Sequence, residues 1–300
     1  MSPGEKKKKP FDLIIRGEKK PTLSGTLTFV GLRLADLPLQ HALLSPSSGL
    51  GVRLLTSLGL RTVYTHVSAP TDTSLSPSSL WLGWAANPLT ALPPTPLLLF
   101  LMSVGSAAKQ IYWHLALSQD SFPASAAVAV SVFNTIVNSA NALLFLALGT
   151  TSLFSRPRIA VPLASYVVTT DATAPATSLS LPLSTLVGVC LYVVGMSIET
   201  ISERQRAAFK RRPENKGRLC TQGLWRWARH VNYFGYALWR GGYCMVGTGW
   251  VGGLLMTLWQ GWDLGQRAVA VQDDYCSRRY GEQWAKFKEE VPYRIVPYVY

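Results

Sequence analysis

The stretch ASAAVAVSVFNTIVNSANALLFLAL, residues 124–148, carries no charged side chain from end to end. A helix of that length rises far enough to cross the roughly 30 Å hydrocarbon core of a bilayer. So long an apolar run points to a membrane-embedded chain. Asn134, Asn138 and Asn141 punctuate it at spacings of four and three, which places three amides on one helical face. Small residues around them permit close approach of another helix. The amides then serve either as hydrogen-bonding glue between helices or as the wall of a polar pocket.

Other segments extend this pattern. SLPLSTLVGVCLYVVGMSIETI, 180–201, reads as a second span, with Glu199 near its end. PLLLFLMSVGSAAKQIYWHLAL, 96–117, reads as a third, although Lys109 and His114 are unusual at membrane depth. Snorkelling near a helix end is the plain account of these two, and an inward-facing polar site is the other. Residues 22–40, interrupted by Arg33 and Asp36, and 49–67, with Arg53 and Arg61, fit spans or interfacial helices equally well. Residues 68–79 and 151–180 are loop-like by their Pro, Ser and Thr content. The Gly-rich run 233–262 is one tilted helix or a hairpin turning near Gly247–Gly249, and cytosolic flanks on both sides favour the hairpin.

The expected fold is therefore all-α, a polytopic transmembrane helical bundle with a cytosolic-facing C-terminal cofactor region. Residues 1–21 form a basic cytosolic tail, 22–201 the transmembrane helices and substrate cavity, and 202–300 the cofactor region with a short membrane hairpin.

Charge sets the orientation. Hydrophobic residues make up 48% of the chain and charged residues 15%, below the roughly 25% of a soluble domain. The net charge of +13 lies in blocks beside apolar segments, so a cytosolic membrane face accounts for it better than nucleic acid does. The start, with Lys6–Lys9, lacks the apolar core of a cleaved signal peptide, and both termini are expected in the cytosol. Cys190, Cys220, Cys244 and Cys276 are widely spaced, so neither a metal site nor a disulfide framework is indicated.

The stretch GLWRWARHVNYFGYALWRGGY, 223–243, holds the chemistry. Arg226, Arg229 and His230 stand beside Asn232 and Tyr233, just after the basic block 204–218. Guanidinium groups make planar bidentate contacts with phosphate, and Trp225, Trp227 and Tyr233 offer stacking faces. An elongated anionic cofactor such as a dinucleotide suits this composition. So does a basic, aromatic girdle facing anionic lipids. No G-x-G-x-x-G or G-x-x-x-x-G-K-[ST] stretch supports a soluble nucleotide fold.

Order and spacing add a resemblance. Glu199, Gln205, Phe209 and the run Arg211-Arg212-Pro213-Glu214-Asn215-Lys216-Gly217 are similar to the DUF1295 branch of the membrane steroid 5-alpha-reductase group. The likeness continues through Gly223-Leu224-Trp225-Arg226 and Arg229-His230-Val231-Asn232-Tyr233-Phe234-Gly235. The tail, Asp273-Asp274-Tyr275-Cys276 followed by Tyr280-Gly281, Trp284 and Val291–Pro297, resembles the C14 and C7 sterol reductases. More distantly, it resembles the isoprenylcysteine carboxyl methyltransferases. The resemblance covers about 199–300 and implies NADPH as cofactor. By the same resemblance Lys210, Arg211, Arg212, Arg218, Trp225, Arg226, Arg229, His230, Asn232 and Tyr233 would bind it, with Asp273 and Arg278 nearby.

One departure stands out. The reductases carry an acidic residue where this chain has Tyr236, and a phenol cannot supply a carboxylate's charge. Either Asp263 or Asp273 compensates, or catalysis is lost. The implied reaction is reduction of a carbon–carbon double bond in a lipidic or steroid-like substrate at the endoplasmic reticulum. Tyr233, His230 and Tyr236 are its candidate catalytic residues, and Tyr112 and His114 could approach from the substrate side. The alternatives are a SAM-dependent membrane methyltransferase and a noncatalytic lipid- or sterol-binding protein.

Overall fold

The structure, a computed structural model, describes residues 22–46, 49–64, 92–118, 120–147, 156–162 and 178–300. The expected basic tail 1–21 and the loop 68–79 lie outside the described residues, as does most of the connection 151–180.

The fold is mostly helical. Helices α1 (Leu23–Leu44) and α2 (Leu50–Ser57) come first, then α3 (Pro94–Tyr112), which runs on into a π-helical turn at Trp113–Leu117. Helices α4 (Ala124–Leu146), α5 (Leu183–Arg211) and α6 (Val231–Asp263) follow. A second π-helical turn, Leu264–Ala268, leads into α7 (Val269–Tyr280) and α8 (Glu282–Glu290). Prolines mark the starts: Pro93 and Pro94 at α3, Pro123 before α4 and Pro182 before α5. Proline's missing N–H costs nothing in a helix's first turn, where that donor has no partner anyway.

Two of these helices, Ala124–Leu146 and Leu183–Arg211, are long and apolar enough to cross a membrane. Their outward faces are apolar: Val128, Val132, Ile136, Val193, Val194 and Ile201 are exposed, while Asn134, Asn138 and Asn141 are buried. That inverts a soluble protein's pattern and fits a lipid surround. Helix α2 has eight residues and is too short to span, which excludes the span considered for 49–67. The all-α expectation needs a second correction. Arg158–Pro162 pairs antiparallel with Ser178–Pro182, from Arg158↔Pro182 to Pro162↔Ser178, forming strands β1 and β2 in the connection expected to be irregular.

Helix α6 is a hairpin. Gly249 has φ 70 and ψ −163, a conformation open to glycine and breaking the helix there. Its second leg returns along the first, so that Gln260 Nε2 comes within 3.5 Å of the Tyr236 hydroxyl.

The ends of the helices sort into two sets. Thr22 Oγ1 donates to Phe122 O at 2.9 Å, and the Phe122 N–H donates back at 3.0 Å, so α1 and α4 start side by side. Arg211 at the end of α5 reaches Ala116 O at 3.1 Å, bringing the end of α3 to the same place. At the opposite end, Val63 N–H donates to Leu146 O, and Trp250 Nε1 donates to Arg156 O. The start of α1 thus shares one end of the molecule with the C-terminal helices.

Candidate functional site

That shared end forms a mouth rich in cations and aromatic rings. Glu203 sits at its base, buried, accepting from Asn232 Nδ2 at 2.9 Å and Arg206 Nη2 at 2.6 Å. The Arg206 guanidinium lies 5.3 Å from the Trp225 ring. Lys210 Nζ donates to the Tyr280 hydroxyl at 2.8 Å, and Arg279 lies over Tyr275 and Tyr280. Asp120, in the turn before α4, is within electrostatic range of Arg206, Tyr275 and Arg279. Among the described residues, no carboxylate comes within ion-pair distance of Lys210, Arg211, Arg212, Arg218 or Arg226, all exposed. The Asn232 Oδ1 atom is buried with no hydrogen-bond partner there.

Several residues expected at a cofactor instead hold the mouth together. Trp225 is 5% exposed and packs with Cys220, Ala228 and Val231, its Nε1 donating to Ser202 O at 2.9 Å. An indole so enclosed cannot present its face to a ligand. Arg229 is 9% exposed and donates through Nη1 to Val291 O at 2.6 Å and Pro292 O at 3.0 Å, closing the end of α8. Burial and the nearby Arg294 pull its pKa below the ordinary guanidinium value, with Asp273 opposing. His230, 3% exposed, stacks on Tyr233 with ring centroids 5.3 Å apart and planes at 11°. It lies behind Tyr233, the more exposed ring. Arg278 pairs with Asp274 on the surface. Cys220 is buried too, and burial raises its thiol pKa above the ordinary value.

Neither carboxylate suggested to stand in for the acidic residue at Tyr236 does so. Asp263 is held by Arg267 through two contacts at 3.1 and 2.6 Å. Asp273 accepts from Trp284 Nε1 at 2.8 Å and faces Lys288 at 3.6 Å. The mouth's own carboxylate is Glu203. Its signal in the sequence was the Glu203–Arg206 spacing of one helical turn, which reads equally well as a surface pair.

Tyr236 opens onto a second polar layer. Its hydroxyl lies 3.5 Å from Arg240 Nη2, and Arg240 donates onward to Asn134 and, at 3.3 Å, to Asn138 Oδ1. Asn138 Nδ2 donates to Asp36 Oδ2 at 2.9 Å, and Arg33 Nη1 donates to the same oxygen at 3.2 Å. Gln40 bridges Asp36 and Ser139. The asparagine face of α4 is thus glue and polar wall at once. Lys109 pairs with Glu199, which also accepts from Trp239 Nε1 at 2.7 Å, and His114 Nε2 bonds Thr26 Oγ1 at 2.9 Å. Both face inward, which overturns the snorkelling account. Tyr112, by contrast, is exposed. Arg240 was missed in the sequence, yet an arginine inside an apolar, Gly-rich run is itself a functional signal.

Fold and mouth define a mostly helical protein with two candidate membrane-crossing helices, a buried polar layer and a cation-rich mouth at one end. The chain belongs to the family described as "Protein of unknown function (DUF1295)", which matches residues 133–283. It is 26% identical over 271 residues to a protein named "Probable O-methyltransferase ustE" from Ustilaginoidea virens, a match covering 90% of this chain and 84% of that one. It is 33% identical over 130 residues to the Delta(14)-sterol reductase erg24 of Schizosaccharomyces pombe, covering 39% of this chain and 30% of that protein. For the Delta(14)-sterol reductase of Arabidopsis thaliana the identity is 26% over 133 residues, covering 38% and 34%. The chain therefore spans about a third of the sterol reductases it matches. The link to sterol-reductase-like oxidoreductases holds at the level of the family.

Proposed function

We propose that the chain is a multi-pass enzyme of the endoplasmic reticulum membrane that uses NADPH to reduce a carbon–carbon double bond in a lipidic substrate. The observation that carries this reading is the set of mouth cations, Lys210, Arg211, Arg212, Arg218 and Arg226, that no carboxylate neutralises among the described residues. A dinucleotide with three phosphates needs such cations; lysines supply point charge and arginines bidentate contacts. The orphaned Asn232 Oδ1 offers an acceptor to a donor on the cofactor, and Tyr233 a ring to stack on.

NADPH, when bound, supplies the hydride. Tyr236 lies between the mouth and the polar layer, where its phenol can deliver the balancing proton, and Arg240 and Gln260 hold it there. His230 acts through Tyr233, by stacking behind it. The test is titration of NADPH, NADH and SAM against protein in detergent. Turnover is then followed by product mass on a panel of sterols, enones and enoyl lipids. NADPH should bind more tightly than NADH and the product should gain two mass units, with Tyr236→Phe keeping cofactor binding and losing turnover. Folded protein that binds no NADPH would falsify the reading.

A second reading has its own support. The relative matched along 90% of this chain is named for O-methyl transfer, and the resemblance to the reductases implies an acidic residue where this chain has Tyr236. SAM binding without NADPH binding selects a methyltransferase acting on a lipidic substrate. Binding of neither leaves a noncatalytic lipid-binding protein.

A further inference from the structure

Below the mouth, two arginines are sealed in the bundle. Arg33 lies midway along α1 and Arg240 in the first leg of α6, and both are 0% exposed. Guanidinium groups stay protonated in proteins, so both carry charge. Among the described residues the layer holds one carboxylate to match them, Asp36, because Glu199 alongside is already paired with Lys109. Donors are left over as well. Arg33 Nε, Arg33 Nη2 and Arg240 Nε are buried without a hydrogen-bond partner among the described residues. The Trp239 and Tyr236 rings, 4.5 and 5.7 Å from the Arg240 guanidinium, offset part of its burial. They contribute no counter-charge, and an unmatched buried ion is costly.

An apolar groove of about 280 Å³ runs between α4 and α6, lined by Ile136, Val137, Asn141, Leu144, Cys244 and Met256 among others. Asn141 follows Asn138, and Cys244 follows Arg240, by one helical turn, so the groove adjoins the charged layer. We infer that the layer binds a membrane-resident amphiphile through one monoanionic head group, a carboxylate, seated between Arg33 and Arg240, with its hydrocarbon tail in this groove. One excess positive charge and three leftover donors match a carboxylate in both charge and acceptor count; a phosphate monoester dianion overshoots the charge. The inference holds whichever cofactor the mouth takes.

The probes are oleate, methyl oleate and acetate, added below micellar concentration to full-length protein in nanodiscs of neutral lipid, with thermal unfolding as readout. Oleate should raise Tm saturably, whereas methyl oleate and acetate should not. An equal rise with the methyl ester removes the anionic head from the argument and overturns the proposal. An equal rise with acetate shows a free anion rather than an amphiphile, and overturns it too. Asn134→Asp gives an independent check, since Asn134 Oδ1 already accepts from Arg240 and Gln110. A carboxylate built in there supplies the missing charge, although it gives up the Nδ2 donor to Val130 O, so N134D should remain folded and bind oleate roughly tenfold more weakly. Undiminished oleate binding by N134D sinks the proposal.

Discussion

At the scale of the residue, Arg229 and Arg240 show what a side chain's identity conveys and what it hides. Arg229 stands in the run Arg229-His230-Val231-Asn232-Tyr233, and its charge alone suggests a phosphate contact. Its guanidinium is instead spent on the carbonyls of Val291 and Pro292. Arg229→Ala removes the donor from two backbone acceptors, and a buried acceptor left unmatched costs roughly 1–3 kcal/mol. The expected outcome is a lower Tm together with faster proteolysis in the segment after α8. Cofactor affinity then falls in step with folded fraction, and Arg229→Lys restores part of both. An affinity loss at unchanged Tm and cleavage rate would return Arg229 to the ligand. Arg240 was illegible for the opposite reason. Its partners Asn134 and Asn138 lie on another helix, and the sequence distance between them conceals the contact. Arg33 and Asp36 read as interruptions of an apolar segment for the same reason, since Asn138 bonds the carboxylate from across the bundle.

At the scale of the element, the long apolar helices α4 and α5 were legible because length and hydropathy suffice to define them. The turn in α6 was legible from the glycines near 247–249 and the need for both flanks to share a side. What the sequence did not advertise is how α5 and α6 touch. Gly188 meets Gly242, and Gly195 meets Gly235, each pair one heptad from the other on antiparallel helices. A Cβ on Gly195 would lie 2.5 Å from Gly235 O, and one on Gly188 would lie 2.7 Å from Gly242 O. Backbone cannot swing aside as a long side chain does, so these positions tolerate no added atoms. Overpacking typically costs about 1–3 kcal/mol, and Gly195→Leu belongs at or beyond the upper end. It should lower Tm by several degrees and broaden the size-exclusion peak in detergent. Gly31→Leu on α1, where an added Cβ meets nothing within 4 Å, is the control and should leave both unchanged. Strands β1 and β2 were missed because proline, serine and threonine mark a loop by composition, while the Arg158–Pro162 pairing depends on a partner, Ser178–Pro182, that lies further along the chain.

At the scale of the whole molecule, the cations are divided unevenly between the two ends. The mouth end carries the cations of 204–218, Arg226, Arg267, Arg278, Arg279, Lys286, Lys288 and Arg294. The opposite end holds α2 and the strand pair, with Arg53, Arg61, Arg156 and Arg158. Under the proposed function, the bias in Lys and Arg would put the mouth on the cytosolic side. Helix α1 begins at that same end. Single cysteines at Ser277 on α7 and Ser57 on α2, both exposed, test this in a background with the four native cysteines replaced. In sealed microsomes an impermeant maleimide should label Ser277→Cys directly and Ser57→Cys only after permeabilisation. The reverse pattern would turn the mouth toward the lumen, away from the cytosolic pool of reduced nucleotide. It would remove the supply on which the reductase reading depends, while leaving the buried Arg33–Arg240 layer, which has no preferred side, untouched.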